Sequence, residues 1–379
     1  MNLNFKLRLL KMLDATMGRL LALLLPSPSA PAPDSDLRSI LIIRPGGIGD
    51  ALLLLPVLAR LSNCYPCAVI DVLAEQRNAG VFRLSPAVAT VWRYDLPGEL
   101  VRLFRRRFDL IIDTEQWYCL SAVVARLLCP SRHIGFSGNG RDRLLTDVVT
   151  YDTGRYELLM FQALLEPLGC GNTPIGDGEY LQLPEAAREQ AAGLLAPMAG
   201  KQLVAIFPGA SVPEKRWPAE RFMTIAKAAA DCGYPPVVVG GPGEVTLGEQ
   251  IIAGAGAGIN CAGRTSLAVT MAVLARSSLL ITGDSGLLHA AALLKISVVA
   301  LFGPSNPQKW APRGSGRIVV RHDPGCAPCS HFGTIPPCPD NACCMGEISV
   351  DEVLAAVMQC LRPDGQEDQQ RKQIEAGEE

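Results

Sequence analysis

The sequence predicts an α/β chain of two domains, each a parallel sheet covered by helices, and three observations carry that prediction. Its 379 residues are enough for two domains of about 100 to 200 residues each. Aromatic residues make up only 6% of the chain while Ala, Leu, Val, Gly and Pro abound, a balance that suits stacked strand–helix units better than an aromatic-rich sandwich. Apolar runs of strand length, separated by helix-length segments, recur in two series of comparable size, as parallel strands joined by crossover helices require. The same composition excludes other classes. At 49% apolar and 19% charged residues the chain is not disordered, and a formal net charge of −2 excludes a nucleic-acid binder that works by overall basicity.

Residues 1–38 read as an amphipathic helix and a linker. Leu9, Leu10, Leu13, Met17, Leu20, Leu21 and Leu24 fall on one helical stripe, with Arg8, Lys11 and Arg19 opposite. The uninterrupted apolar run Leu20–Leu25 is far short of the ~20 residues that cross a bilayer. Attachment to an anionic lipid surface and docking on the body of the protein are both open. A signal peptide is a third reading, because a charged start, a leucine run and Ala30-Pro31-Ala32 imitate its parts. The proline-rich stretch Pro26–Pro33 reads better as a linker.

The first domain, residues 39–182, opens on strand-like Ser39–Arg44, a glycine turn Pro45-Gly46-Gly47-Ile48-Gly49, and a helix from Asp50 to Leu61. Further strands are expected at Ala68–Leu73, Leu110–Asp113 and His133–Phe136. Val101–Arg107, with four arginines, suits a solvated helix face. The second domain, residues 183–348, begins with a Pro- and Ala-rich connection. Its strands are expected at Leu203–Phe207, Pro236–Val239, Leu279–Ile281 and Val298–Phe302, with helices Ala219–Cys232 and Leu267–Arg276 between them. Residues 349–379 hold a last amphipathic helix, Val350–Leu361, and from Pro363 a tail of six acidic and two basic residues. Two such domains facing a central cleft present the carboxyl ends of both sheets to it, where open α/β folds bind ligands.

Three strand-to-helix turns carry chemistry. In Arg44-Pro45-Gly46-Gly47-Ile48-Gly49-Asp50, the glycines let backbone approach a ligand and the following helix offers free amides. A dinucleotide fingerprint fails there at its last glycine, although Asp71 stands at a suitable distance. Asp50 reads either as a helix cap or, at a turn bordering the expected cleft, as a catalytic carboxylate. In Phe207 to Pro218, Pro208-Gly209 turns the chain and Lys215-Arg216 bring two cations to the sheet edge, where a phosphate suits them. In Leu279 to Ala292, an apolar strand runs into Gly283-Asp284-Ser285-Gly286 and a small-residue helix, a ready diphosphate site. His289, four residues beyond Ser285, returns to the same face. Gly303-Pro304-Ser305 then closes the next strand with another tight turn.

In this order and spacing the motifs resemble glycosyltransferase family 9, the bacterial heptosyltransferases of the lipopolysaccharide inner core. The specific parts are I-R-P-G-G-I-G-D at Ile43–Asp50, P-G-A-S-x-x-x-K-R-W-P at Pro208–Pro218, G-D-S-G-L-L-H-x-A-A at Gly283–Ala292 and L-F-G-P-S at Leu301–Ser305. The resemblance implies a GT-B architecture of two Rossmann-like domains and an inverting, metal-independent transfer with no cofactor. It also implies an ADP-heptose type of donor held by the second domain. Asp50 then matches the general base and Gly46, Gly47 and Gly49 the acceptor-side loop. Ser211, Lys215, Glu244, Asp284, Ser285, Gly286 and His289 match the donor site, with Glu244 toward the ribose. The family often has threonine where this chain has Ser285, which keeps the hydroxyl. The implied acceptor is a lipopolysaccharide core or lipid-linked glycan, and the implied place is cytoplasmic, peripheral on the inner face of the inner membrane. No nucleic-acid partner is expected.

Such chemistry needs a base for the acceptor hydroxyl and cations or amides for the departing diphosphate, and the three turns hold both. Two alternatives stay open at this level: a non-catalytic nucleotide-sugar-binding or assembly protein, and a nicotinamide-dependent oxidoreductase. Cys326, Cys329, Cys338 and Cys343, with Cys344, have the density of a structural zinc site or disulfide clip without its clean spacing. They read otherwise as packed thiols in a Pro-rich loop.

Overall fold

The computed structural model describes residues 14–28, 37–171, 178–331 and 334–361. The chain divides between Gln182 and Leu183 into two compact units. The first is built on a parallel sheet in the order β3-β2-β1-β4-β5-β6. Its strands are β1 (Ser39–Ile43), β2 (Val69–Ala74), β3 (Thr90–Arg93), β4 (Leu110–Asp113), β5 (Arg132–Phe136) and β6 (Asp147–Val149). The second has the order β12-β11-β10-β7-β8-β9. Here the strands are β7 (Leu203–Phe207), β8 (Pro236–Val238), β9 (Ile259–Asn260), β10 (Ser277–Gly283), β11 (Ser297–Phe302) and β12 (Arg317–Arg321).

Counted within each unit, both orders are the doubly wound one, in which the winding reverses beside the first strand. The crevice outside the carboxyl ends of the strands at that reversal is where such sheets bind ligands. It lies between β1 and β4 in the first unit and between β7 and β10 in the second. The three motif turns follow β1, β7 and β10, so every one of them sits at a reversal point. Central strands are buried on both faces: Ile40, Leu41, Ile42 and Ile43 of β1 are all 2% exposed or less, as continuous apolar runs in parallel sheets should be.

Helices cover these sheets. The ones that matter below are α1 (Arg19–Leu24), α2 (Ile48–Cys64), α3 (Leu120–Leu127), α4 (Ala219–Asp231), α5 (Val245–Ala255), α6 (Gly286–Leu293) and α7 (Val350–Leu361). The last of them lays Val353, Val357 and Leu361 into the core formed by Phe222 and Ile225 of α4 with Leu279 and Ile281 of β10.

The structure departs from expectation in particular places. Strands β3, β6, β9 and β12 were not expected, and they are the four edges of the two sheets. An edge strand pairs on one side only, so each is short or half exposed and lacks the continuous apolar run that marks the others. The helix around Val101 spans Pro97–Leu103 and ends before three of the four arginines. The first 25 residues do not form one regular helix where described: a π turn over Asp14–Gly18 precedes α1. Residues 1–13, the linker 29–36 and the acidic tail lie outside the described residues.

Candidate functional site

In the first unit, α2 begins at Ile48, two residues earlier than expected, with Gly47 as its N-cap and Asp50 in its first turn. Gly46 has φ +113°, and a Cβ there would lie 3.1 Å from Arg44 Nη2. The positive φ favours glycine, and a side chain there would also press on the Arg44 guanidinium. Gly49 falls in the first turn of α2, so its amide is among the unpaired ones at the helix start. The carboxylate of Asp50 accepts from the Gly47 amide at 3.3 Å and lies 3.5 Å from Arg44 Nη2, with its side chain 22% exposed. The capping role weighed for Asp50 is therefore present, and it also orients the carboxylate.

Arg44 belongs to the first motif, but its part was not legible in the sequence. It is buried, donates from Nη1 to the Thr114 carbonyl at 2.8 Å and lies over the Phe161 ring at 5.2 Å. Burial works to lower its pKa, and the charges of Asp50, Glu115 and Glu157 raise it overall. Around it a buried polar network fills the β1–β4 reversal point. Asp113 pairs with Arg141, both fully buried. Glu115 Oε1 accepts from the amides of Gln116 and Trp117 at 3.0 and 2.9 Å, and burial holds its carboxyl above the ordinary range. Glu157 accepts from Gln116 Nε2 at 2.6 Å and from the Tyr151 hydroxyl at 2.7 Å. The signal for this cluster was Asp113-Thr114-Glu115 at the end of an apolar strand, polar residues where the reversal rule places a site.

In the second unit the two remaining motifs meet. Lys215 Nζ donates to Asp284 Oδ2 at 2.6 Å, each side chain 13% exposed. A Cβ on Gly283 would lie 3.2 Å from the Lys215 carbonyl, so the loop after β7 packs on the end of β10. Ser285 is the N-cap of α6: its hydroxyl accepts from the Leu288 amide at 3.4 Å and meets Thr282 Oγ1 at 3.0 Å. Gly286 opens the helix two residues after the ion-paired Asp284, so its unpaired first amides and positive dipole end belong to the same turn. His289 is buried on the same helix and is one of the charges that act on Asp284. Ser211 is exposed on the loop after β7.

Glu244 stands just before α5. Its Oε2 accepts from the Gly241 amide at 2.8 Å, while a Cβ on Gly209 would come within 2.6 Å of its Oε1. The absence of a side chain at position 209 is what seats this carboxylate against the second motif. Gly209→Ala is expected to displace the Glu244 carboxylate from the second motif with little loss of thermal stability, which a crystal structure of the variant beside a melting curve checks.

Asp284 supplies a pH prediction. Burial works to raise its carboxyl, but the Lys215 charge and hydrogen bond outweigh burial and hold it below the ordinary 3.8. A depressed folded value stabilises the protein above the unfolded value, and that contribution is lost as pH falls through the folded one. Between about pH 5 and 3, the melting temperature of the wild type is expected to fall more steeply than that of Asp284→Asn. Equal slopes would refute the pair.

All thirteen cysteines are free thiols, and among the described residues no group of three or more His, Cys, Asp or Glu is arranged to hold a metal ion. Of the cluster singled out in the sequence, Cys326 is exposed and Cys329, Cys338 and Cys343 are half-buried in the Pro-rich loop. Backbone bonds and apolar contacts tie that loop down. The amides of Cys329 and Ser330 donate to the Pro304 carbonyl at 3.0 and 2.8 Å, and Ala342 donates to Cys338 Sγ at 3.3 Å. Gly303 lies against Cys344 and Met345, where its own Cβ would come 2.6 Å from Met345 Sδ. Burial pushes the Cys344 thiol up to about 11.

Comparison with known proteins bears on family and fold. The family model described as glycosyltransferase family 9 (heptosyltransferase) matches residues 99–338. Lipopolysaccharide heptosyltransferase 2 of Escherichia coli K12 is 28% identical over 304 residues, 74% of this chain and 87% of that protein. The solved structure of E. coli ADP-heptose lps heptosyltransferase II superposes with a TM-score of 0.71 at 25% identity, covering 85% of this chain and 98% of the other. A family 9 glycosyl transferase from Veillonella parvula gives 0.74 at 24% identity, with 87% and 99% covered.

Proposed function

The chain belongs to glycosyltransferase family 9, and from that premise we propose that it moves a heptose-type sugar from an ADP-activated donor to a lipopolysaccharide-core or related glycan acceptor, with inversion and without a metal. One observation carries the reading. At the β7–β10 reversal point a lysine, Lys215, is held by Asp284 beside the open amide end of α6, the chemistry that takes a nucleoside diphosphate. The solved relative's name specifies ADP-heptose.

In this reading the diphosphate binds Lys215 and the amides from Ser285 and Gly286, with Ser211 and His289 beside it and Glu244 toward the ribose. Asp50 takes the proton from an acceptor hydroxyl held at the Gly46–Gly49 loop. That oxygen then attacks the anomeric carbon from the face opposite the leaving group, the C–O bond to the diphosphate breaks, and the configuration inverts. The charge gathering on the leaving diphosphate is met by the Lys215 ammonium and the helix dipole. Family membership makes the chain a glycosyltransferase, which sets aside the nicotinamide and non-catalytic readings.

Among the described residues no helix is long and apolar enough to cross a membrane. We place the enzyme on the cytoplasmic side, at the surface of the inner membrane where such an acceptor is anchored. Incubation with ADP-heptose and heptose-deficient core acceptor, followed by mass spectrometry, tests the function. A heptose increment is the expected result, and its absence across ADP-, UDP- and GDP-sugar donors would overturn it.

A further inference from the structure

The segment around α1 is two-sided. Its inner face is Ala22, 2% exposed, with Leu21 and Leu25 packed against Cys119, Ala122, Val123 and Leu144. Polar bonds fasten it: the Leu120 amide donates to Asp14 Oδ1 at 2.7 Å, Arg126 Nε to the Pro26 carbonyl at 2.9 Å and Arg143 Nη1 to the Leu23 carbonyl at 2.5 Å. Among the described residues the outer face is unpartnered and apolar, with Met17 52%, Leu20 56%, Leu23 62% and Leu24 71% exposed. Trp117, just before α3, and Leu127, at its end, are also exposed, at 43% and 48%. A helix already locked onto the body does not need these leucines for folding.

The N-terminal segment is predominantly basic in sequence. Residues 1–28 contain Lys6, Arg8, Lys11 and Arg19 against the single acid Asp14, and Asp14 is buried and spent on the Leu120 amide. Arg19 and Arg143 are exposed, as is Asp142 beside Arg143. Apolar side chains that project from a basic surface match the two attractions of an anionic bilayer: insertion into the acyl boundary and neutralisation of headgroups. A second copy of the chain fits less well, because a two-fold contact sets this patch, and its cations, against itself.

We propose that Met17, Leu20, Leu23 and Leu24, with Arg19 beside them, form a membrane-docking surface that seats the first unit on an anionic bilayer. The proposal deepens the function given above, resting on its lipid-anchored acceptor. It joins the two readings the sequence left open for this segment, since one face docks on the body while the other is free for lipid.

Flotation of the full chain with phosphatidylethanolamine/phosphatidylglycerol vesicles, and with phosphatidylcholine vesicles, tests it. The wild type is expected to float with the anionic vesicles and not with the neutral ones. The double variant Leu20→Glu, Leu24→Glu, at solvent-exposed positions, is expected to lose about tenfold or more of that partition while keeping its circular dichroism and its transfer rate to a deacylated, water-soluble acceptor. Three results would overturn the proposal: no flotation of the wild type on anionic vesicles, equal flotation on neutral ones, or undiminished flotation of the variant. A shift from dimer to monomer in the variant without vesicle binding by the wild type would assign the face to a second copy instead. Flotation needs no turnover, so an inactive chain that floats would sink the proposed reaction and leave the docking surface standing.

Discussion

Asp50→Asn is expected to lower kcat for sugar transfer by about 10² to 10⁴ while the protein stays folded. The two roles of this side chain separate cleanly in that substitution. Asparagine keeps an oxygen that accepts from the Gly47 amide, so the cap at the start of α2 survives and the stability cost stays within about 1 kcal/mol. The proton acceptor is lost, and with it the Arg44 ion pair at 3.5 Å. A base acts in the transition state, so kcat and kcat/KM should fall together while ADP affinity is unchanged. Nearby Glu115 is no substitute, since its carboxyl is buried and its Oε1 is already taken by backbone amides. If steady-state kinetics put the Asp50→Asn enzyme within twofold of wild type, the base is another group. A melting temperature that collapses with activity would instead mark Asp50 as structural.

Lys215→Ala is expected to weaken ADP binding by about 10- to 100-fold, the span of a lost charge-assisted hydrogen bond. The variant should be worse than a simple deletion. Lys215 and Asp284 are mutually compensated, and with the ammonium gone a mostly buried carboxylate is left facing a diphosphate. The double variant Lys215→Ala, Asp284→Ala should therefore recover part of the lost affinity, a non-additivity that isolated surface charges would not show. Lys215→Arg should recover less than its charge suggests, because a planar fork does not replace a point charge held at 2.6 Å. Calorimetric titration of ADP into the wild type and these three variants reads all of this. Strictly additive losses would mean that the pair does not form the phosphate site.

How much of this was legible beforehand depended on burial. Strands β1, β4, β7, β10 and β11 announce themselves because both of their faces are covered and they must be apolar throughout. The glycine turns after β1 and β10 were equally plain, and at the first of them Gly46 adopts a left-handed φ that few other residues tolerate. The edge strands β3, β6, β9 and β12 were hidden, being free on one side to carry polar or charged residues. So was the polar network of Arg44, Glu115, Glu157 and Arg141. Each of its members is an ordinary charged residue in sequence, and they are drawn together only when β4 is laid beside β1 and the helix Glu157–Ala163 packs alongside.

Taken by itself, the chain of residues determined the class of each domain, the order of its central strands and helices, and the turns where chemistry is concentrated. These depend on local matters: the period of apolar residues, the conformations open to glycine and the free amides of a helix start. The tertiary structure alone decided that Lys215 bonds Asp284, 69 positions away, that Gly209 makes room for Glu244, and that the cysteine loop is tied by its amides to the Pro304 carbonyl. It also decided which side of α1 faces inward. Those outcomes depend on distances between segments remote in sequence, and such distances exist only after each sheet has drawn its own strands side by side.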